Sequence, residues 1–147
     1  MNIQVVFKDV KKSFPEINSG LFPSSKNSFM LSSPISGKIY YNKKILEQKK
    51  FSATALKGAL AHELSHQIHY KNKSLIYRLL FGLRYRKNRK FKEFAEKEAD
   101  RIAIERGFGK ELIALWNEYK LQLGKERFET RIKPFHLSEK EIKKLMK

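Results

Sequence analysis

The 147-residue chain contains no cysteine and no long apolar segment. Without cysteine, disulfide scaffolds and cysteine-ligated zinc sites are excluded. The longest apolar stretch, from Leu75 to Leu83, is interrupted by Arg78 and Gly82 and falls well short of the roughly 20 residues that cross a bilayer. The first residues also lack the charged start and the apolar run of a secretory signal. We therefore expect a cytoplasmic protein without a transmembrane segment.

Acidic residues are scarce: 15 Asp and Glu stand against 32 Lys and Arg, which gives a formal net charge of +17. Such a surplus attracts polyanions such as nucleic acid or anionic lipid. Lysine is spread along the whole chain. We therefore favour a generally basic surface over a dedicated nucleic-acid site.

The remaining composition, with 41% hydrophobic and 12% aromatic residues, is that of one globular domain over residues 1–147. In the first fifty residues, β-branched and apolar runs predict short strands at Ile3 to Val6, Phe29 to Leu31 and Ile39 to Tyr41. The stretch from Phe14 to Ser28 is rich in Pro, Ser, Asn and Gly and predicts a loop. We expect the strands to form a small, mostly antiparallel sheet.

Beyond Ser52, a good N-cap residue, the apolar residues recur with helical spacing. The predicted segments are a buried helix at 51–70, a basic connection at 71–90, helices from Phe91 to Arg106 and from Lys110 to Leu123 within 91–130, and a tail at 131–147. We expect the basic connection to form an amphipathic helix packed on the core, and a membrane-surface or partner-docking helix is the alternative. Gly107 suits the end of the helix that begins at Phe91, and Ser138 begins a capping-box pattern in the tail. The fold class is therefore α+β, with the sheet packed on the helix at 51–70.

The most informative motif is H-E-L-S-H at 62–66, an H-E-x-x-H pattern inside the predicted buried helix. Residues four apart on a helix are separated by about 40° around the axis and about 6 Å along it, so the imidazoles of His62 and His66 can reach one metal ion. A Zn²⁺ held this way needs a third protein ligand and an open position for water, whose proton Glu63 can accept. The motif predicts a zinc hydrolase with Glu63 as its catalytic base.

We look for the third ligand in the helix that begins near Phe91. Glu96 and Asp100 are one turn apart and share a face of that helix, beside small and apolar residues. One carboxylate can bind zinc while the other accepts the N–H of a ligating imidazole, and we assign these roles to Glu96 and Asp100 respectively. Glu93 or Glu98 takes the ligand role if the register of the helix differs.

The residues that follow His66 argue against a metzincin. That class places a glycine three residues after the second histidine and a third ligating histidine three residues further on. Here the two positions hold His69 and Asn72. We expect His69 to be a rim or core residue rather than a ligand.

The pair H-E-L-S-H at 62–66 and E-K-E-A-D at 96–100 resembles the gluzincin zinc peptidases, in particular the HtpX-type and CAAX prenyl-protease enzymes. Those enzymes have membrane spans, which this chain lacks. A closer similarity is to the minigluzincins, small soluble archaeal proteases, and residues 100–109 are similar to the stretch that follows their glutamate helix. The resemblance covers roughly Ile39 to Leu123.

The resemblance implies a zincin-like fold in which a small sheet lies over the active-site helix, a glutamate helix lies below, and a polypeptide substrate lies along the edge strand. It also implies a latent zymogen whose terminal segment blocks the cleft. Here the candidate for that segment is 131–147.

The predicted activity is peptide-bond hydrolysis by a zinc-dependent endopeptidase. A second electrophile can help to stabilise the oxyanion, and the eligible residues are Tyr119, Arg127, Arg131 and His136. Two alternatives remain open: an ImmA/IrrE-like protease that cleaves a DNA-bound repressor, and a non-catalytic basic module that binds nucleic acid or an anionic surface.

Overall fold

The structure, a computed structural model, describes residues 3–18, 21–22, 29–44, 48 and 51–147. In chain order its elements are α1 (Ile3–Lys11), β1 (Leu21–Phe22), β2 (Met30–Ser32), β3 (Ile39–Tyr41), α2 (Ala53–Tyr70), α3 (Leu75–Lys87), α4 (Arg89–Glu105), α5 (Gly109–Leu123), α6 (Lys125–Arg131) and α7 (Glu139–Leu145). The coarse α+β prediction is confirmed, with helix strongly predominant. Within the described ranges, no helix combines the length and the apolar character that crossing a bilayer requires.

The sheet has the strand order β1-β3-β2 and is mixed rather than mostly antiparallel. β1 runs parallel to β3, whereas β2 runs antiparallel to it with Met30 opposite Tyr41 and Ser32 opposite Ile39. The predicted strands near Phe29 and Ile39 are confirmed. β1 lies inside the stretch predicted as a loop, of which 19–20 and 23–28 lie outside the described residues.

The predicted strand from Ile3 to Val6 is wrong, because these residues belong to helix α1. Val6, Val10 and Phe14 are buried at intervals of four residues, while Val5 is exposed. This is the apolar stripe of a helix, continued into the turn after it. The β-branched residues span only four positions, and packing of the longer apolar stripe overrides their strand preference.

α2 is the central helix of the core. Leu56, Leu60 and Leu64 are fully or almost fully buried along one of its faces, and the side chain of Ser52 accepts the Ala55 N–H as the predicted N-cap. α5 packs directly on Gly58, where an added Cβ would lie 2.3 Å from a backbone carbonyl oxygen of α5. Glycine at this position lets the two helix backbones touch.

The carboxyl-terminal segment is part of the same core. Leu137 and Ile142 are buried in it. Ser138 and Glu141 form the predicted capping box at the start of α7. α4 ends as predicted before Gly107, whose φ of 90° suits glycine. The chain therefore leaves α6 and returns across α4 and α5.

Candidate metal centre

Two helices, α2 and α4, bring the predicted ligands together. His62 and His66 lie one turn apart on α2, and Glu96 faces them from α4; all three side chains are buried. Beside these side chains α4 also presents Ala95, Ala99 and Ala103, which are fully buried. Small side chains at this contact let the Glu96 carboxylate reach the imidazoles of α2.

The three ligand atoms form a compact triangle. Nε2 of His62 lies 3.1 Å from Nε2 of His66 and 2.9 Å from Oε2 of Glu96. The third side, between Nε2 of His66 and Oε2 of Glu96, is 3.4 Å. Ligands about 2.0–2.1 Å from a tetrahedral zinc ion are about 3.3 Å apart, so the triangle has the size of one face of such a site.

Asp100 determines which nitrogen of His62 faces the triangle. Its Oδ1 lies 2.8 Å from Nδ1 of His62. Burial would raise the pKa of Asp100, but the neighbouring His136 and His62 outweigh it and lower that pKa to about 2. Because the carboxylate is ionised and only accepts, Nδ1 of His62 must donate, and Nε2 is the nitrogen left to bind a metal.

The contact between Nε2 of His62 and Oε2 of Glu96 requires a cation. A lone pair on the imidazole and a carboxylate oxygen repel each other at 2.9 Å unless a proton or a metal ion lies between them. In the metal-free protein a proton lies between these two atoms. Burial would lower the pKa of His62, but hydrogen bonds to Asp100 and Glu96 hold it well above its ordinary value. The residues therefore fit a divalent metal whose binding displaces this proton.

Tyr85 of α3 is a member of the site that the sequence did not indicate. Its hydroxyl donates to Oε1 of Glu96, so the other oxygen, Oε2, is left to face the imidazoles. Tyr85 lies one turn after Phe81, which is buried against Tyr70. A spacing of four residues between two aromatics of the amphipathic segment was the available signal, but it predicts packing and not a contact with Glu96.

His136 is the one candidate for the second electrophile that, among the described residues, contacts the two carboxylates. Its Nε2 lies 3.7 Å from Oε2 of Glu96 and its Nδ1 lies 3.3 Å from Oδ2 of Asp100, without the geometry of a hydrogen bond at Nδ1. Its ring packs on Trp116, with 4.0 Å between ring centroids. The segment 131–147 thus borders the site through His136, and its proposed role as an inhibitor stays a prediction.

Glu63 is close to the ligand histidines and to the Ser32 backbone of β2. Its side chain is partly buried. Burial raises the pKa of its carboxyl, against the opposing influence of His66, His62 and the Ser32 backbone. Tyr119 is near enough for the Glu63 charge to contribute, after burial, to a raised pKa of its phenol. A carboxylate with a raised pKa is suited to accept a proton.

The other predicted residues lie away from the triangle. Glu93 pairs with Lys97 and Glu98 with Arg101 on the surface of α4, His69 stacks on Phe81, and Arg127 and Arg131 are exposed on α6. A surface cavity lined by Ile17, Asn18, Ser36, Gly37, Gln67, Tyr70, Lys71 and Arg78 lies at the end of α2, beyond the ligands.

A second group of metal-ligating side chains shares His62 with the first. It consists of His62, Asp100 and His136. This group is a poorer metal site, because Asp100 already accepts the Leu137 N–H at 2.9 Å and the Nδ1 proton of His62. Of the two groups, His62, His66 and Glu96 are therefore the better arranged to hold a metal ion.

Comparisons with known proteins add no relative: neither a family model, nor a curated protein, nor a solved structure matches this chain.

Proposed function

We propose that the chain is a zinc-dependent endopeptidase of the gluzincin type, similar to the minigluzincins. The single observation that supports this most strongly is the triangle of His62, His66 and Glu96, with sides of 2.9 to 3.4 Å and with Glu63 directly after the first ligand. A structural zinc site closes with four protein ligands, whereas a catalytic one keeps a position for water. Three ligands with an adjacent carboxylate favour the catalytic kind.

Each residue of the site has a defined task in this proposal. Zinc, when bound, polarises the scissile carbonyl and lowers the pKa of water. Glu63 accepts the proton of the attacking water and passes it to the leaving amine, which its raised pKa favours. Asp100 holds His62 in the ligating tautomer, and Tyr85 orients Glu96.

The edge strand β2 is the proposed docking site for an extended polypeptide. On one side β2 pairs with β3, and no described strand pairs with its other side. Its position relative to α2 is determined by Ser32, whose hydroxyl accepts from Gln67 and lies 2.7 Å from the hydroxyl of Tyr70. An unpaired strand edge beside Glu63 can add a substrate strand through main-chain hydrogen bonds.

The test combines metal content with hydrolysis. Wild type dialysed against zinc should retain about one zinc per chain by elemental mass spectrometry and should cleave an unstructured protein such as casein. Glu63→Gln should keep zinc and lose hydrolysis by a factor of about 100 or more. Glu96→Gln should lose zinc, whereas Glu98→Gln, on the surface of the same helix, should resemble wild type.

Two results would contradict the proposal. The first is a Glu63→Gln variant that cleaves at the wild-type rate. The second is a wild-type protein that retains no more zinc than Glu96→Gln.

A further inference from the structure

Helix α3 has one buried face and one exposed apolar face. Phe81 is buried against Tyr70 and Phe91, and Tyr85 on the same face contacts the metal site. On the other face, large apolar side chains are exposed: Leu75 by 60%, Ile76 by 71%, Leu79 by 44%, Leu80 by 54% and Leu83 by 51%. With 100° per residue these five cover about 140° of the helix, roughly opposite Phe81 and Tyr85.

A stripe of this kind differs from the scattered exposed leucines of ordinary surfaces. Single exposed apolar residues need no explanation, but a contiguous group marks an interaction surface. Five aliphatic side chains within nine residues, at 75–83, form such a group. In the part of the chain that the structure describes, each of the five is at least 44% exposed.

The charge around the stripe indicates which kind of partner the stripe binds. Residues 71–92 contain nine Lys and Arg and no Asp or Glu; the nine are Lys71, Lys73, Arg78, Arg84, Arg86, Lys87, Arg89, Lys90 and Lys92. Arg86 and Lys87 are exposed in the last turn of α3 and project on the same side as the stripe. Long basic side chains beside an apolar face can keep their charges in water while their stems lie on apolar material.

We propose that α3 binds the surface of an anionic lipid bilayer. The helix lies parallel to the membrane plane, with Leu75, Ile76, Leu79, Leu80 and Leu83 at the boundary of headgroups and acyl chains and the flanking cations on lipid phosphates and carboxylates. The buried face then keeps Tyr85 on Glu96. The metal site thus lies on the protein side of a membrane-bound helix.

The two other candidate partners fit less well. A nucleic acid matches the cations, but its phosphate backbone offers no apolar surface for five aliphatic side chains. A second copy of the chain matches the apolar stripe, but a twofold contact would bring Arg86 and Lys87 of both copies together. An anionic bilayer matches both features.

The experiment is co-sedimentation of the full chain with lipid vesicles at physiological ionic strength. Vesicles of phosphatidylcholine are compared with vesicles that also contain about 30% phosphatidylserine. The apolar variant is Ile76→Asn with Leu80→Asn, and its control is Leu121→Asn, at a side chain of α5 that is 83% exposed. The charge variant is Arg86→Gln with Lys87→Gln, and its control removes two cations elsewhere by Lys144→Gln with Lys147→Gln.

We expect wild type to bind the vesicles that contain phosphatidylserine, and to bind the vesicles of phosphatidylcholine alone far less. Both α3 variants should bind at least about tenfold more weakly, and both controls should resemble wild type. Circular dichroism checks that the variants are folded, which we expect because the substituted side chains are exposed.

Three outcomes would overturn the proposal. One is equal weakening by the two charge variants, which would assign binding to net charge alone. Another is binding to double-stranded DNA without binding to vesicles. The third concerns the oligomeric state: wild type is a dimer in sedimentation velocity, and Ile76→Asn with Leu80→Asn converts it to a monomer. In this outcome neither wild type nor the variant binds vesicles.

Discussion

Replacing Asp100 by asparagine tests the coupling between the metal site and the carboxyl-terminal segment. Asp100 is fully buried, and its two oxygens serve two donors: Oδ1 accepts from Nδ1 of His62 at 2.8 Å and Oδ2 from the Leu137 N–H at 2.9 Å. Asparagine has nearly the same shape but keeps only one acceptor atom. One of the two donors must therefore lose its partner.

The size of the effect of Asp100→Asn depends on which of the two donors loses its partner. If the asparagine carbonyl stays on Leu137, its amide N–H faces His62 and favours the tautomer with the proton on Nε2, where the metal should bind. Loss of such a partner of a ligating histidine costs about 10- to 100-fold in metal affinity, or about 1.4 to 2.7 kcal/mol. If the carbonyl turns to His62, the buried Leu137 N–H is unpaired, at about 1–3 kcal/mol of stability.

Zinc affinity is measured by competition with a chromophoric chelator, and stability by urea unfolding in EDTA. Asp100→Asn should show a deficit in at least one of the two, and the matched variant Asp9→Asn, at an exposed aspartate that pairs with Lys57, should be close to wild type in both. The reasoning would be refuted if Asp100→Asn binds zinc with an affinity within about threefold of wild type and its stability is also unchanged.

Three further variants test the packing of α2 and the orientation of Glu96. Gly58→Ala should lower the free energy of unfolding by about 1–3 kcal/mol, because its Cβ would meet the Glu111 backbone. Its control, Gly82→Ala, should raise the free energy of unfolding by about 0.5–1 kcal/mol, because the nearest neighbour of the added Cβ is 3.8 Å away. Equal shifts of the two variants in urea unfolding would contradict this. Tyr85→Phe removes the donor to Glu96 and should weaken zinc binding roughly tenfold in the chelator assay, and an unchanged affinity would show that the hydroxyl does not orient the ligand.

The regular part of the fold could be predicted because local signals agreed there with tertiary packing. Ser52, Gly107 and Ser138 mark helix ends through hydrogen bonds and backbone angles that involve only near neighbours. The start of the chain failed for the opposite reason. Its β-branched residues favour a strand locally, and only the buried stripe that includes Phe14 shows why α1 is a helix.

The sequence by itself determined the candidate ligands and their spacing. His62 and His66 share a helix face because of the helical repeat, and Glu96 and Asp100 share another for the same reason. Spacing within a helix is a local property. The residue types of a candidate metal site were therefore visible in the sequence alone.

Only the tertiary structure decided how these groups meet. Oε2 of Glu96 lies 2.9 Å from His62, Tyr85 holds the other oxygen, and His136 returns from the tail. These contacts depend on how α2, α3 and α4 pack. The exposed stripe of α3 is a further example, since periodicity predicted an amphipathic helix but not that Phe81 would be buried and Leu79 left outside. Which of two apolar faces is covered depends on contacts between residues far apart in the chain.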